Sequence, residues 1–550
     1  MAQEHWLSEL QQKAAEKRSS ENPPLKCGLP ILADAYAAED GATISERARK
    51  LRFAKSITAD VTYLSPSGHF LIRYDTTGID AVPAYDRNGD GFPDFIDFVA
   101  EAFDRAWEVE IDSLGFRPPP DENGQPLDVY PVLCERLSSG LYGATFFDTN
   151  SDIAALTGFN YTSEISINTN FDFVEYPHIS NDPILRDSAA IAVTGAHEFN
   201  HAIQLGYRIW FRDDNPNSQI ADLRYLESTA TYMEEVVHDE VNDYYQYLSN
   251  FYRNTQRHFG DQIILYGDVI FHIMADDFYG KTITRETWEQ IVNEPSIPAM
   301  NSVFEAKGSS LNDEFQRLAT WMFFSGSNAI SGMFFDEAAD YPNPNLIVKQ
   351  PVMLEEDQSI AVHSTNLPSL SFQHIKITAA STGGVSASVT PLNNINLWFA
   401  TDLFFAPPFN TNFPAGVFTP VKFASPESDI HLAIISGNWD ETGNAPPIDY
   451  TASLRWTSGD SQNEVLAFPN IIKPGQEAAQ ITFTNLPSES VIEIFSGNGM
   501  RLASVQPESS GQIAFWNLQT DQGNPVASGV YIYRVVSNGE AQSGKIMVIR

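Results

Sequence analysis

The sequence predicts an α+β protein: a mainly helical domain, then a β-sandwich, then a C-terminal immunoglobulin-like β-module. Between residues 97 and 340 apolar residues recur at intervals of three and four, as in Phe98, Val99, Ala102, Phe103, Ala106 and Trp107, the spacing that lines one helix face. After about residue 350 the texture changes to short β-branched runs separated by Pro, Asn, Gly and Ser, among them Ile375-Lys376-Ile377-Thr378 and His431-Leu432-Ala433-Ile434-Ile435. A chain of 550 residues with 43% hydrophobic and 12% aromatic composition is long enough for several cores and too apolar to be disordered.

In chain order, residues 1–57 read as an N-terminal helical segment and a candidate propeptide, with Trp6, Leu7 and Leu10 on one stripe and a Pro-rich turn from Asn22 to Pro30. Residues 58–350 form the main domain, entered through a strand at His69-Phe70-Leu71-Ile72-Arg73-Tyr74, with helices expected near 188–206, 222–238 and 264–278. Residues 351–457 are the β-sandwich. The polar run Ser458-Gly459-Asp460-Ser461-Gln462-Asn463 leads into the last module, 463–550.

Net charge is −38, from 33 basic and 71 acidic residues. Such a field repels phosphate backbones and anionic lipid, which argues against nucleic-acid and membrane-surface functions. No apolar run is long enough to span a bilayer, and the N-terminus shows no charged region followed by an apolar one, so no secretory signal is read there.

The sharpest chemical signal is Ala196-His197-Glu198-Phe199-Asn200-His201. Histidines four apart on a helix sit one turn above each other, so both imidazoles can reach one zinc ion while Glu198 faces an activated water as general base. With 11 His in the chain, His-Glu-x-x-His is expected by chance on the order of 0.01 times. Pro183 near the helix start and Gly206 at its stop fit a helix between them. Gln204 and Tyr207 stand where a metzincin would need a glycine and a third histidine, which excludes that class. The third ligand is expected on the next helical run, Leu223 to Glu235. Glu227 and Glu234 are the candidates, Glu234 also as a carboxylate orienting a histidine; seven residues apart, they lie about 10 Å from each other along the axis and cannot share one ion. Tyr232, His238 and Tyr266 are candidate donors to a tetrahedral oxyanion.

A second metal signal precedes the first long helix. In Asp86-Arg87-Asn88-Gly89-Asp90-Gly91-Phe92-Pro93-Asp94-Phe95-Ile96-Asp97, the side chains of Asp86, Asn88, Asp90, Asp94 and Asp97 and the carbonyl of Phe92 supply oxygens around a Gly turn, the donor pattern calcium requires. A solvated Asn/Asp/Gly turn is the alternative.

Together the acidic loop, the Ala-His-Glu-Phe-x-His helix and the Leu226-Glu227-Ser228-Thr229-Ala230 helix resemble a family of secreted bacterial zinc metalloproteases similar to immune inhibitor A and, more loosely, to thermolysin-type gluzincins. The resemblance spans roughly residues 60–340. It implies a zincin-like catalytic domain hydrolysing protein or peptide substrates, with zinc on His197, His201 and Glu227. The tail, with Phe468-Pro469-Asn470, Ile481-Thr482-Phe483, Trp516, Gly529-Val530-Tyr531 and Lys545-Ile546-Met547-Val548, is similar to C-terminal sorting domains of the type IX secretion system. That likeness implies export to the cell surface or medium, with the secretion machinery as partner. A surface binding protein with structural zinc and ligand-binding β-domains is the alternative function.

Two cysteines, Cys27 and Cys134, admit three fates. They can pair as a disulfide or remain as inert thiols. The third rests on Lys26-Cys27-Gly28-Leu29-Pro30, which resembles the propeptide switch of matrix metalloproteinases, where a thiolate closes the open zinc position.

Overall fold

The computed structural model describes residues 25–38, 59–138, 140–147, 161–176, 178–180, 182–211, 220–261, 264–329 and 334–379, and then the β-rich stretches 384–391, 398–401, 421–422, 429–437, 439, 445–457, 465–468, 471–472, 480–484, 486–487, 489–497, 499–507, 514–537 and 540–548. The stripe at Trp6, Leu7 and Leu10 and the dipeptide Pro469-Asn470 lie outside them. The chain divides into two compact units, residues 1–314 with 325–343 and 440–444, and residues 315–324 with 344–439 and 445–550. The division therefore does not fall at a single point near 350. It is α+β throughout the first unit and all-β over most of the second.

The first unit opens with helix α1 (Leu29–Ala38) and a mixed sheet of β1 (Val61–Leu64), β2 (Phe70–Tyr74), β3 (Tyr130–Glu135), β4 (Gly143–Phe147) and β5 (Ser163–Asn168). Its order is β1-β2-β3-β5-β4, with β2, β3 and β5 parallel and β1 and β4 antiparallel at the edges. Only β2 was expected. The others are short, and β3, β4 and β5 are buried at almost every position, so they lack the alternation that marks a strand with one wet face.

Helices α2 (Asp94–Ala106) and α3 (Pro183–Gly206) pack on this sheet, and α4 (Leu223–Val237) packs on α3. Pro183 takes the first position of α3, and Asp182 caps it by accepting from the Ile184 N–H at 3.0 Å. Phe199, between the two zinc-candidate histidines, points the other way. Its ring meets Phe70 at 5.1 Å, Trp107 at 5.7 Å and Tyr130 at 6.1 Å between centroids. Burying such a ring is worth about 1.5–3 kcal/mol, so one face of the helix is anchored in the aromatic core while the other presents the histidines. Shorter helices follow: α5 (Tyr245–Arg253), α6 (Ile270–Tyr279), α7 (Ile283–Ile291), α8 (Ser296–Ala306) and α9 (Leu311–Phe323), whose residues from 315 onward belong to the second unit.

The second unit contains two pairs of sheets. Strands β6 (Val348–Leu354), β7 (Ser359–Leu367), β8 (Ser371–Ala379), β9 (Gly384–Pro391), β10 (Trp398–Thr401), β11 (Val421–Lys422), β12 (Asp429–Ser436) and β13 (Ile448–Thr457) form sheets β10-β12-β8-β6 and β11-β9-β13-β7. They enclose a core including Leu354, Ile375, Ile377, Leu432, Ile434 and Leu454. The last module, Leu466–Val548, combines a three-stranded and a five-stranded sheet around Ile481, Phe483, Ile494, Trp516 and Val535. Among the described residues no helix is long and apolar enough to cross a membrane.

Candidate metal centre

His197 and His201 lie one turn apart in α3, fully inside the first unit, and α4 brings Glu227 against them. Each ring is held by its outer nitrogen. His197 Nδ1 donates to Glu234 Oε1 at 2.6 Å, and His201 Nδ1 donates to Gln204 Oε1 at 2.8 Å. The second contact continues as a chain: Gln204 Nε2 donates to Asn200 Oδ1 at 2.5 Å, and Asn200 Nδ2 donates to the buried Glu110 Oε2 at 2.7 Å. With a carboxylate at the far end of each set of contacts, both Nδ1 atoms are engaged, so a cation bound between the rings would meet both Nε2 lone pairs.

The two Nε2 atoms are 3.1 Å apart, and Glu227 faces them with its oxygens at 3.4 Å from His197 and 3.3 Å from His201. Neither Glu227 oxygen has a hydrogen-bond partner. Two lone pairs and a buried carboxylate cannot converge unless something positive lies among them. A tetrahedral zinc with bonds of about 2.0–2.3 Å spaces its donors about 3.3–3.8 Å apart, close to the distances found, so these residues fit the ion. Without metal, burial draws the His197 imidazole toward neutrality, but Glu227 and Glu234 outweigh it and push the group up to about 9. Burial pushes Glu227 upward, and the two histidines override it and hold the carboxyl down to about 2. A proton is thus the metal's competitor.

Glu227, not Glu234, lies together with His197, His201 and Cys27, while Glu234 meets His197 at its Nδ1 side. Glu198 is buried beside them, and Thr145 Oγ1 on edge strand β4 donates to its Oε2 at 2.6 Å. Burial lifts the Glu198 carboxyl above its ordinary value against the pull of His197, His201 and Thr145. Of the three proposed oxyanion donors, Tyr266 alone stands by the centre, its ring 6.2 Å from that of His197 and its backbone in the left-handed region at φ 68°. Tyr232 packs on His272, and His238 ends α4 beside Glu240.

Cys27 completes the cluster: one ligand atom from each of Cys27, His197, His201 and Glu227 lies within 4.8 Å of the others. The preceding and following residues run alongside β4. The Gly28 N–H donates to Gly143 O at 3.0 Å, and the Tyr142 N–H donates to Lys26 O at 2.7 Å. A Cβ at Gly28 would come within 2.5 Å of Ala144 Cβ, so only glycine allows this approach. Buried Leu29, Ile31 and Leu32 continue the covering into α1.

Both thiols are free. Across the sheet Cys134 pairs with Ile167, Ile167 with Gly143 and Gly143 with Cys27. Three strand spacings of about 4.8 Å set the two cysteines roughly 14 Å apart, about twice the reach of a disulfide. The disulfide alternative is therefore excluded in this arrangement.

The acidic loop folds as a turn before α2. Asp86 accepts from the Gly89 and Gly91 N–H groups at 2.7 and 3.1 Å, Asn88 from Asp90 N–H at 2.9 Å, and Asp90 from Phe92 N–H at 2.8 Å. Asn88 Nδ2 donates to Asp97 Oδ2 at 3.0 Å, while Asp94 turns to the Arg87 N–H at 2.9 Å. The loop carboxylates are absent from the clusters that bring three or more His, Cys, Asp or Glu ligand atoms within 4.8 Å among the described residues. Partial burial and the charges of Asp90, Asp94 and Asp86 nevertheless raise the Asp97 carboxyl, with the Asn88 hydrogen bond opposing them. Calcium binding here is tested by melting: added calcium is expected to raise Tm increasingly with concentration, and Asp90→Ala to abolish the rise. A calcium-insensitive melt returns the loop to an ordinary turn.

The sequence reading missed Thr145 and Asp243, and it named Gln204 and Lys26 without their contacts to His201 and to Glu234 and Asp243.

Residues 184–335, which include α3 and α4, match a family of unknown function, DUF6055. No curated protein matches the chain. Among solved structures it is similar over 18% of its length to PorZ, a bacterial surface component of the type IX secretion system of Porphyromonas gingivalis, at 24% identity and TM-score 0.15, covering 14% of that chain. It is similar over 35% to the adhesin domain of Epf from Streptococcus pyogenes, at 10% identity and TM-score 0.14, covering 78% of that chain. A third similarity, to the BSP domain of a biofilm-associated protein, covers 36% of this chain and 28% of that one at 14% identity and TM-score 0.15.

Proposed function

We propose that this chain is an exported zinc peptidase with a zincin-like catalytic domain, held latent by its own N-terminal segment. The observation that supports it most is the convergence of two Nε2 atoms, each on a ring held at its Nδ1, with the Glu227 carboxylate, which makes no hydrogen bond, beside the buried Glu198. Zinc, when bound, supplies electrostatic activation of a water and of the scissile carbonyl. Glu198 takes the proton of the attacking water and returns it to the leaving amine, with Thr145 orienting its carboxylate. Tyr266, whose ring lies 6.2 Å from that of His197, is the candidate donor to the tetrahedral oxygen. His197, His201 and Glu227 would hold the ion, and Glu234 and Gln204 keep the imidazoles aimed. Export rests on the likeness of the tail to type IX sorting domains.

A second reading is favoured by Cys27. Four protein ligands close a zinc site as structural sites are closed, and the protein would then be a surface binding module. Metal analysis with a peptide-library digest, before and after chelation, tests the first reading. One zinc per chain and chelator-sensitive cleavage by the unlatched protein are expected. Because His197 regains a proton below about 9, chelation should become easier as pH falls.

A further inference from the structure

Lys26 is a buried cation whose two carboxylate partners are also held by other contacts. Its Nζ lies 2.7 Å from a carboxylate oxygen of Glu234 and 2.7 Å from Asp243 Oδ2. Three rings stand around it, with Nζ 5.3 Å from the centroid of Tyr247, 5.5 Å from Tyr266 and 5.9 Å from Tyr142. Asp243 is held independently of the lysine: its Oδ1 accepts from Tyr176 Oη at 2.6 Å and from Gln246 Nε2 at 2.9 Å. Two carboxylates and an aromatic wall in a dry site make a receptor for an ammonium group.

The backbone that delivers this side chain is bound as an extended peptide is bound at a sheet edge, through main-chain hydrogen bonds to Gly143 of β4 and to Tyr142 just before it. The adjoining residue, Cys27, is the one that faces the metal centre. The pocket is therefore one residue from the reacting position.

We propose that the Glu234–Asp243 pocket is a substrate subsite for a lysine side chain, that Lys26 occupies it as an internal stand-in, and that the peptidase cleaves within one residue of lysine. This rests on the peptidase reading and extends it to the substrate class. Glu234 then has two roles, orienting His197 and, with Asp243, receiving the substrate cation. Occupying the subsite draws on the carboxylate that also steadies a zinc ligand.

The test uses the full chain in two arms. In the first, Lys26→Ala leaves a cavity missing propylammonium. Its Tm should rise with added n-propylammonium and stay flat with 1-propanol, while the wild-type Tm responds to neither. In the second, the unlatched Lys26→Ala/Cys27→Ser protein digests a peptide library. Cleavage next to lysine should exceed cleavage next to methionine by at least about tenfold, and adding Asp243→Asn should shrink that ratio by at least about tenfold, since a buried charge pair loses one partner. Cleavage without lysine preference overturns the subsite and leaves the peptidase standing. Absence of all cleavage with propylammonium rescue intact overturns the peptidase and keeps the cation pocket. Failure of the rescue in a folded Lys26→Ala protein overturns the pocket, and if that variant does not fold, the library preference of the Cys27→Ser chain decides.

Discussion

Glu198→Gln is expected to leave zinc content and melting temperature nearly unchanged while lowering peptide hydrolysis by several orders of magnitude. The amide keeps the size of the carboxylate and can still pair with Thr145, so the local packing survives. What it loses is the ability to take a proton from the attacking water. General acid–base catalysis alone accounts for about 10²–10⁴-fold, and here one group serves both the attack and the departure of the amine. The His197, His201 and Glu227 donors are untouched, so metal analysis by mass spectrometry should still find one zinc per chain. Undiminished cleavage by the variant would sink the mechanism. Loss of zinc along with activity would instead show that Glu198 acts in holding the centre together.

Cys27→Ser separates a latch from a structural ligand, and its effect is the second large one. In the structure Cys27 is buried over the metal centre. In metal-free protein, burial and the negative charges of Glu198 and Glu227 push its thiol well up, so only a bound cation would stabilise the thiolate there. A latch predicts that the wild-type protein shows no alkylation of Cys27 until zinc is removed, and that Cys27→Ser keeps its zinc on the remaining three ligands and hydrolyses peptides from the start. A structural site predicts the reverse: zinc content falls, the protein melts at lower temperature, and no hydrolysis appears. Cys134 supplies the internal control, since it is buried on β3 away from the centre and should react only on unfolding.

The parts of the centre that were legible in the sequence are those built within one helix. His197, Glu198 and His201 fall on one turn, and their relation is set by a rise of about 1.5 Å and a rotation of about 100° per residue whatever surrounds them. The same arithmetic showed that Glu227 and Glu234 could not share an ion, and the structure uses the two at different depths, one at the Nε2 side and one at the Nδ1 side of His197. Glu227 was favoured over Glu234 only through the resemblance of Glu227-Ser228-Thr229-Ala230 to a known pattern; helix spacing alone could not choose, because the choice depends on how α4 is rotated against α3 and both residues lie on the same face of α4. The β-rich texture after 350 was likewise legible, since alternation and turn residues are local signals.

The one-turn pairing of His197 and His201 with Glu198 between them, the acidic loop and the β character of the C-terminal half were determined by the sequence alone, because each follows from periodicity or spacing over a dozen residues. The remainder was decided by tertiary structure. The sheet β1-β2-β3-β5-β4 joins strands up to about 100 residues apart, and short, fully buried strands carry no period of their own. The fate of Cys27 turned on the register Cys134–Ile167–Gly143–Cys27, which holds the thiols three strands apart and sets one of them on the metal centre. The partners of Lys26, Glu234 and Asp243, lie 208 and 217 residues away. Such pairings are selected by burial, where an uncompensated charge costs several kcal/mol, and burial exists only once the chain has folded.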